Sequence, residues 1–185
     1  MNPGLQIALI PVGEVDQALL SMLDEDLPEI FSMEVEVYSA LPLGPEHYAK
    51  ERGQYLADGL LDEFASMVPV AGTLLLGITE ADLFSSGMNF VFGIANRGRA
   101  LISSFRLRPE FLGQEPNPKV FRRRILIEAV HELGHALGLP HCEYPGCVMY
   151  FSNWIGDTDR KGPGFCFRCA RTLERMMATK NGHAG

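Results

Sequence analysis

The order of apolar segments predicts an α/β (α+β) domain built on a twisted, mixed sheet. Short β-rich runs alternate with stretches of helical periodicity, which indicates parallel strands joined by helical crossovers. A tight turn between two later strands indicates one antiparallel pair. The chain has 185 residues, which suits a single domain with its own apolar core.

The first five predicted elements alternate between strand and helix. Residues 5–10 form a β-rich apolar run, and residues 15–23 carry apolar side chains at helical spacing. Residues 33–38 alternate between apolar and polar, as in a half-buried strand. Residues 47–67 are predicted to form a long amphipathic helix and residues 72–79 a buried strand.

The second half of the chain is predicted to add an antiparallel pair and a long helix. Strands are predicted at residues 89–95 and 99–107, joined by the short turn Asn96-Arg97-Gly98. A helix is predicted over about residues 118–137, with Asn117 as N-cap and Gly138 ending it. An irregular stretch follows, then a short helix at 169–179 and a frayed tail at 180–185.

Composition narrows the classes of function. The formal net charge of -7 argues against a nucleic-acid binder, because no large basic field is available for phosphates. The one basic run, Arg122-Arg123-Arg124, lies in the predicted long helix and is interpreted as a solvated face. No signal peptide pattern and no run long enough to span a bilayer are visible, so we expect a cytoplasmic protein, with a monomer favoured.

The segment from His131 to His141 carries the pattern H-E-x-x-H-x-x-G-x-x-H. On a helix, His131 and His135 stand one turn apart on the same face, so both imidazoles can bind one metal ion. Glu132 lies about 100° round the helix and can reach a water beside that ion without binding it. Gly138 lets the chain turn, so that His141 returns as a third ligand. Three protein ligands and an open fourth position are typical of a catalytic zinc.

This pattern predicts metal-assisted hydrolysis of an amide bond, with Glu132 as general base. The pattern fixes five residues, so a chance match in a chain of this size is on the order of 10⁻⁵. Two alternatives stay open. One is a zinc-stabilised module that binds protein or peptide with little hydrolysis, against which the presence of Glu132 argues. The other is a non-peptidase zinc amide hydrolase, whose pocket would be small and closed.

Four cysteines follow the histidine pattern in two pairs. Cys142 and Cys147 are separated by four residues, and Cys166 and Cys169 form a C-x-x-C. In a reducing compartment such pairs favour a closed, structural zinc site with four thiolate ligands. A disulfide pair, a free reactive dithiol and an iron–sulfur cluster are the alternatives.

Taken together, these residues resemble the archaemetzincins (archaelysins), a metzincin family of zinc metallopeptidases. The blocks 77–84 and 89–93 are also similar to this family, and the resemblance spans roughly residues 5–179. It is carried by the segment His131 to His141, followed in order and spacing by Cys142, Cys147, Met149, Cys166 and Cys169.

The resemblance implies a metzincin-like zincin fold, with a twisted sheet and one antiparallel edge strand above a cleft and the active-site helix below it. It implies a catalytic zinc on the three histidines and a structural zinc on the four cysteines. Met149 is expected in a Met-turn beneath the metal, with Gly138 supporting the third ligand. The implied activity is cleavage of peptide or protein substrates, including at amino-terminal residues. Residues 1–138 would form an N-terminal subdomain and residues 139–185 a C-terminal subdomain of one peptidase domain.

The predicted strand at residues 89–95 suggests where a substrate binds. Our hypothesis is that it forms the edge of the sheet, where an extended peptide adds as an antiparallel strand. The alternative is an interior strand. The hypothesis makes five residues candidates for substrate binding, namely Asn89, Phe90, Val91, Phe92 and Gly93.

Overall fold

A mixed five-stranded sheet forms the centre of the protein in a computed structural model that describes residues 5–67 and 73–181. The strands are β1 Gln6–Pro11, β2 Glu34–Val37, β3 Tyr48–Ala49, β4 Gln54–Leu56, β5 Thr73–Thr79, β6 Leu83–Phe84, β7 Gly93–Asn96 and β8 Arg99–Ser103. The helices are α1 Gln17–Phe31, α2 Ala57–Met67, α3 Pro118–Leu137, α4 Ile155–Arg160 and α5 Phe167–Asn181. Among the described residues, no helix is long and apolar enough to cross a membrane.

The sheet has the order β2-β1-β5-β8-β7. The first four strands are parallel, and β7 pairs antiparallel with β8 at one edge. The predicted mixed sheet with one antiparallel edge strand is therefore confirmed. A second, small sheet of β3, β4 and β6 lies beside it.

The two faces of the sheet are covered by different helices. Side chains alternate along a strand, so Ile7 and Leu9 of β1 face α1 and α3, whereas Ala8 and Ile10 face α2. Each face contributes to its own cluster of buried apolar residues. The face packed against α3 matters for function, because that helix carries the histidine pattern.

Helix α3 begins and ends where the sequence predicts. The Asn117 side chain accepts a hydrogen bond from the Val120 amide at 3.2 Å, which caps the N-terminus. At the other end Gly138 has φ +110°, a conformation that favours glycine. The Leu139 amide donates to Gly134 O at 2.9 Å, closing a Schellman motif that turns the chain sharply.

The predicted helix over residues 47–67 is wrong in its first half. The chain there forms a single 3₁₀ turn and the β3–β4 hairpin, and only α2 is helical. Gly53 adopts φ +67° in the hairpin turn. Tyr48 and Tyr55, seven residues apart, pair across the hairpin with ring centroids 4.9 Å apart instead of lying along one helix face.

Other predicted boundaries shift. Helix α1 continues past residue 23 to Phe31, because Leu27 and Phe31 extend its buried stripe. The strand predicted over residues 99–107 ends at Ser103 and is followed by a 3₁₀ turn. Helix α4 was not predicted, and α5 begins at Phe167 and extends into the predicted tail. Gly72 and residues 182–185 of the predicted elements lie outside the described residues.

The predicted strand over residues 89–95 is regular only from Gly93. The preceding residues are held by the small sheet instead: the Val91 amide donates to Leu83 O at 3.0 Å. The side chains of Arg52 and Gln54 both donate to Asn89 O, at 2.9 and 3.1 Å. The small sheet therefore fixes the segment that leads into the edge strand.

Candidate metal centre

Three histidines converge at the C-terminal end of α3. His131 and His135 lie one turn apart on the helix, and the turn at Gly138 brings His141 back to them. One ring nitrogen from each histidine lies within 4.8 Å of the others. The structure thus brings together the three residues that the sequence predicts as ligands of one ion.

The hydrogen bonds of two histidines fix which nitrogen is free. His131 Nδ1 donates to Val148 O and His135 Nδ1 donates to Leu139 O, each at 2.7 Å. Because a carbonyl oxygen only accepts, each Nδ1 carries the proton and each Nε2 presents a lone pair. The two Nε2 atoms lie 3.2 Å apart. A tetrahedral zinc places two nitrogen ligands about 3.3 Å apart, so the pair fits zinc.

The environment keeps the three histidines neutral, which is the form that binds metal. Burial lowers the pKa of His131 to about 2, and the charge of Lys161 adds to this effect. Burial also lowers the pKa of His135 and of His141.

Glu132 lies beside the histidines and is 6% exposed. Burial raises its pKa well above the usual range, and repulsion from Glu128 acts in the same direction. The carboxylate packs against the edge strand at Gly93. A Cβ at that glycine would lie 2.7 Å from Glu132 Cγ and 2.9 Å from Leu101 O. A larger residue would therefore displace the carboxylate or the strand.

An open cleft of about 480 Å³ lies above this centre. Its floor contains the three histidines, Glu128 and Glu132. One wall is formed by residues 87–95 and the other by residues 151–153. All five predicted substrate-binding residues line the cleft: Asn89, Phe90, Val91, Phe92 and Gly93.

A buried methionine lies beneath the histidines. Met149 is 0% exposed and sits in a turn closed by the Tyr150 amide, which donates to Cys147 O at 3.0 Å. A Cβ at Gly134 would collide with Met149 Sδ. The glycine inside the H-E-x-x-H segment therefore lets this methionine turn pack directly against α3.

The four cysteines form a second cluster, and no disulfide joins them. Their four sulfur atoms lie within 4.8 Å of one another. Cys142 Sγ and Cys166 Sγ are 3.8 Å apart, and a tetrahedral zinc with four thiolates places its sulfurs about 3.8 Å apart. The backbone N–H of Cys169 lowers the pKa of the Cys166 thiol to about 7, whereas burial raises the pKa of the Cys147 and Cys169 thiols.

Two buried charged residues beside the three histidines are not predicted by the sequence. Lys161 is 0% exposed, and Glu128 is buried with Thr158 donating to its Oε1 at 2.8 Å. For Glu128 a signal existed, because it precedes His131 by three residues and so shares its helix face. For Lys161 there was none, since it ends a polar run from Asp157 that is typical of a solvated loop.

The basic run on α3 differs from the predicted solvated face at one position. Arg122 and Arg123 are exposed, as expected of a solvated face. Arg124 is 2% exposed and makes a two-pronged pair with the Asp159 carboxylate, both bonds at 2.8 Å. It also donates to Leu107 O at 3.1 Å. This arginine fixes α4 against α3.

An active-site helix with H-E-x-x-H, a third histidine after a glycine turn, and a buried methionine below them define a metzincin-type zinc metallopeptidase. Comparison with known proteins gives the family. A model of peptidase family M54 matches residues 32–175, and the chain belongs to this family, the archaemetzincins. It is therefore a zinc-dependent metallopeptidase that acts on peptide or protein substrates, as the sequence predicted.

The similarity extends over nearly the whole chain. The archaemetzincin of Pyrococcus furiosus is 43% identical over 179 residues, covering 92% of this chain and 93% of the relative. The archaemetzincin of Methanocaldococcus jannaschii is 41% identical over 172 residues, covering 92% of this chain and 93% of the relative. The crystal structure of archaemetzincin from Methanopyrus kandleri superimposes with TM-score 0.83 at 34% identity, covering 96% of this chain and 97% of that one. The predicted metzincin-like fold is thus confirmed.

Proposed function

We propose that His131, His135 and His141 hold the catalytic zinc and that Glu132 is the general base. The observation that carries this assignment is the pair of Nε2 lone pairs facing each other at 3.2 Å. Two such lone pairs repel each other unless a cation lies between them. The third histidine approaches from the turn after α3 and completes a set with an open side toward the cleft.

The reaction is hydrolysis of a peptide bond. The three histidines would hold a zinc ion, which would supply polarisation of the carbonyl group and a water of lowered pKa at neutral pH. Glu132 takes a proton from the attacking water and passes it to the leaving amine. Its position supports this role, because it lies beside the three histidines on the floor of the cleft.

The substrate is proposed to add to β7 as an antiparallel strand. The Ser103 amide donates to Phe92 O at 2.8 Å, so Phe92 and every second residue after it face β8. The backbone groups of Gly93 and Ala95 therefore face outward, toward the cleft. By contrast, Asn89 O and the Val91 amide are already bonded to the small sheet. The side chains of residues 89–92 would contact the substrate, while Gly93 and Ala95 would bind its backbone.

Hydrogen exchange tests this binding mode. Addition of a peptidic inhibitor should slow exchange at the outward amides of Gly93 and Ala95. The amides of Ile94 and Asn96, which face β8, serve as the internal control. Unchanged protection at all four amides would count against strand addition.

A second zinc is proposed at Cys142, Cys147, Cys166 and Cys169, where it would be structural. The 3.8 Å separation of two sulfurs supports it. Such an ion would tie the segment after α3 to the start of α5. It would also hold the methionine turn, since the Cys142 amide donates to Met149 O at 2.9 Å. On this basis the division into subdomains 1–138 and 139–185, meeting at Gly138, remains our proposal.

We propose that the protein works as a monomer in the cytoplasm. The histidines, Glu132 and both cleft walls come from one chain, so the site needs no partner subunit. Four thiolate ligands persist in a reducing compartment. The net charge of -7 supports a role without nucleic acid.

The assignment is tested by measuring zinc content and hydrolysis of a peptide library for wild type, Glu132→Gln and His135→Ala. The library includes peptides with free and with acetylated N-termini, which separates cleavage at amino-terminal residues from internal cleavage. We expect two zinc per chain in wild type and Glu132→Gln, and one in His135→Ala. Cleavage should fall by about 10²–10⁴-fold in Glu132→Gln. Two zinc with no cleavage by wild type would favour the binding module instead.

A further inference from the structure

The side chain of Lys161 is fully buried directly beneath the metal centre. It follows α4 and is 0% exposed. Its Nζ donates to Val148 O at 3.2 Å and to Tyr150 O at 2.8 Å. These two carbonyls flank Met149, so one ammonium group holds both ends of the methionine turn.

One of these carbonyls also orients a proposed zinc ligand. Val148 O accepts from His131 Nδ1 at 2.7 Å as well as from Lys161 Nζ. A carbonyl oxygen has two lone pairs and can accept both bonds. Lys161 Nζ lies 3.4 Å from His131 Nδ1, so the lysine and the histidine are side-by-side donors to the same oxygen. The direction in which His131 presents its Nε2 thus depends on an oxygen that Lys161 fixes.

Burying an ammonium group is costly unless other groups offset it. Here the carboxylates of Glu128 and Glu132 are the main groups that stabilise the charge, together with the two carbonyls. The Lys161 backbone is fixed as well, because its carbonyl accepts a hydrogen bond from Arg123 on α3. The lysine therefore links α3, α4 and the methionine turn at one point.

We propose that Lys161 is a positioning residue for the catalytic zinc site. It holds Val148 O and the methionine turn in the place that directs His131 Nε2 at the metal. This inference rests on the proposed function, in which the three histidines bind zinc.

The sign of the effect separates this role from a purely electrostatic one. A cation next to a zinc ligand repels Zn²⁺, so its charge alone weakens metal binding. If charge were the whole effect, replacing Lys161 with a neutral residue would tighten zinc binding. Loss of a positioning residue should instead weaken zinc binding. Substitution of a group that orients a metal ligand typically lowers metal affinity by about 10–100-fold.

The test compares Lys161→Met with Arg124→Met. Both substitutions remove a buried cation near α4, but Arg124 donates to the Asp159 carboxylate and to Leu107 O instead of to Val148 O and Tyr150 O. The zinc affinity of the histidine site is measured in the full chain by chelator competition. Cobalt substitution gives a second readout, because nitrogen and sulfur ligands produce different visible spectra. Melting temperatures report the loss of stability in each variant.

We expect Lys161→Met to weaken zinc binding at the histidine site by about 10–100-fold and to alter its cobalt spectrum. Arg124→Met should lower the melting temperature but leave both readouts as in wild type. Unchanged or tighter zinc binding in Lys161→Met would overturn the proposal, and so would equal weakening in both variants.

Two further variants keep the test decisive. If Lys161→Met does not fold, Lys161→Gln replaces it, because its side chain is one atom shorter and cannot reach both carbonyls. The same 10–100-fold loss is expected, and wild-type affinity would overturn the proposal. His135→Ala identifies the site itself. If it leaves the zinc content of the chain unchanged, the proposed function fails rather than the role of Lys161.

Discussion

Two regions of this peptidase are held together in different ways. The sheet region, residues 5–67 and 73–138, has an apolar cluster on each face of the sheet. In the cysteine-rich region, residues 139–181, five buried apolar residues join one of these clusters, namely Leu139, Val148, Met149, Ile155 and Leu173. Four thiols and the buried Lys161 lie beside them. The sheet region is therefore stable through burial of apolar surface. The cysteine-rich region depends in addition on groups that bind one another or a metal, and it supplies His141, one of the three proposed zinc ligands.

Removing a cysteine should have the largest effect, and the effect should be confined to the cysteine-rich region. Cys147→Ser should release one zinc per chain and raise amide exchange across residues 139–181 by about 100-fold or more, because metal binding and folding are coupled in such sites. Amides of β1 and β5 are the internal control and should keep their protection. Equal loss of protection in both regions would show that the cysteine-rich region is not a separate unit of stability.

A substitution in the core of the sheet region should lower stability without changing either metal site. Leu76 on β5 is 0% exposed, and Leu76→Ala should reduce the free energy of unfolding by about 2–5 kcal/mol. The cobalt spectra of both metal sites should stay as in wild type, since Leu76 supplies no ligand to either site. Val37→Ala, at a position 41% exposed, is the control and should have little effect. Denaturant unfolding measures both variants, and an altered spectrum in Leu76→Ala would contradict the separation.

A smaller change tests the point where the edge strand meets α3. Gly93→Ala would place a Cβ 2.7 Å from Glu132 Cγ. Displacement of the carboxylate should reduce kcat/KM by about 10–100-fold with zinc content unchanged. In Gly162→Ala an added Cβ meets nothing closer than 3.9 Å, so this variant should retain wild-type activity. Full activity in Gly93→Ala would mean that Glu132 does not need this contact.

The smallest effect is expected at the surface of the sheet region. Arg99 and Asp62 form an ion pair at 3.2 Å, but their side chains are 36% and 74% exposed. Asp62→Ala should change the free energy of unfolding by less than about 1 kcal/mol, because solvent screens the pair. Thermal melting at low and high salt measures it. A larger loss would mean that charge pairs also contribute to the stability of the sheet region.

The same contrast explains what the sequence could predict. Strand β1 and helix α3 follow from apolar periodicity and from caps at Asn117 and Gly138, which are local signals. The histidine and cysteine clusters follow from ligand spacing. The helix predicted over residues 47–67 fails because Tyr48 and Tyr55 suit both helical spacing and a hairpin.

Lys161 could not be predicted, because only the tertiary fold brings carbonyls and carboxylates around a residue from a polar run. The burial of Arg124 could not be predicted for the same reason, since its partner Asp159 lies 35 residues away. The sequence thus predicts best where neighbouring residues determine the structure, and least where distant polar groups meet.

The most direct test of this account is X-ray absorption at the zinc edge on wild type and His135→Ala. Wild type should contain two zinc ions and a mixture of nitrogen ligands at about 2.0–2.1 Å and sulfur ligands at about 2.3 Å. His135→Ala should lose one ion and retain a spectrum of sulfur ligands alone. A wild-type spectrum with sulfur ligands only and one zinc per chain would contradict the assignment of the histidines as the catalytic site.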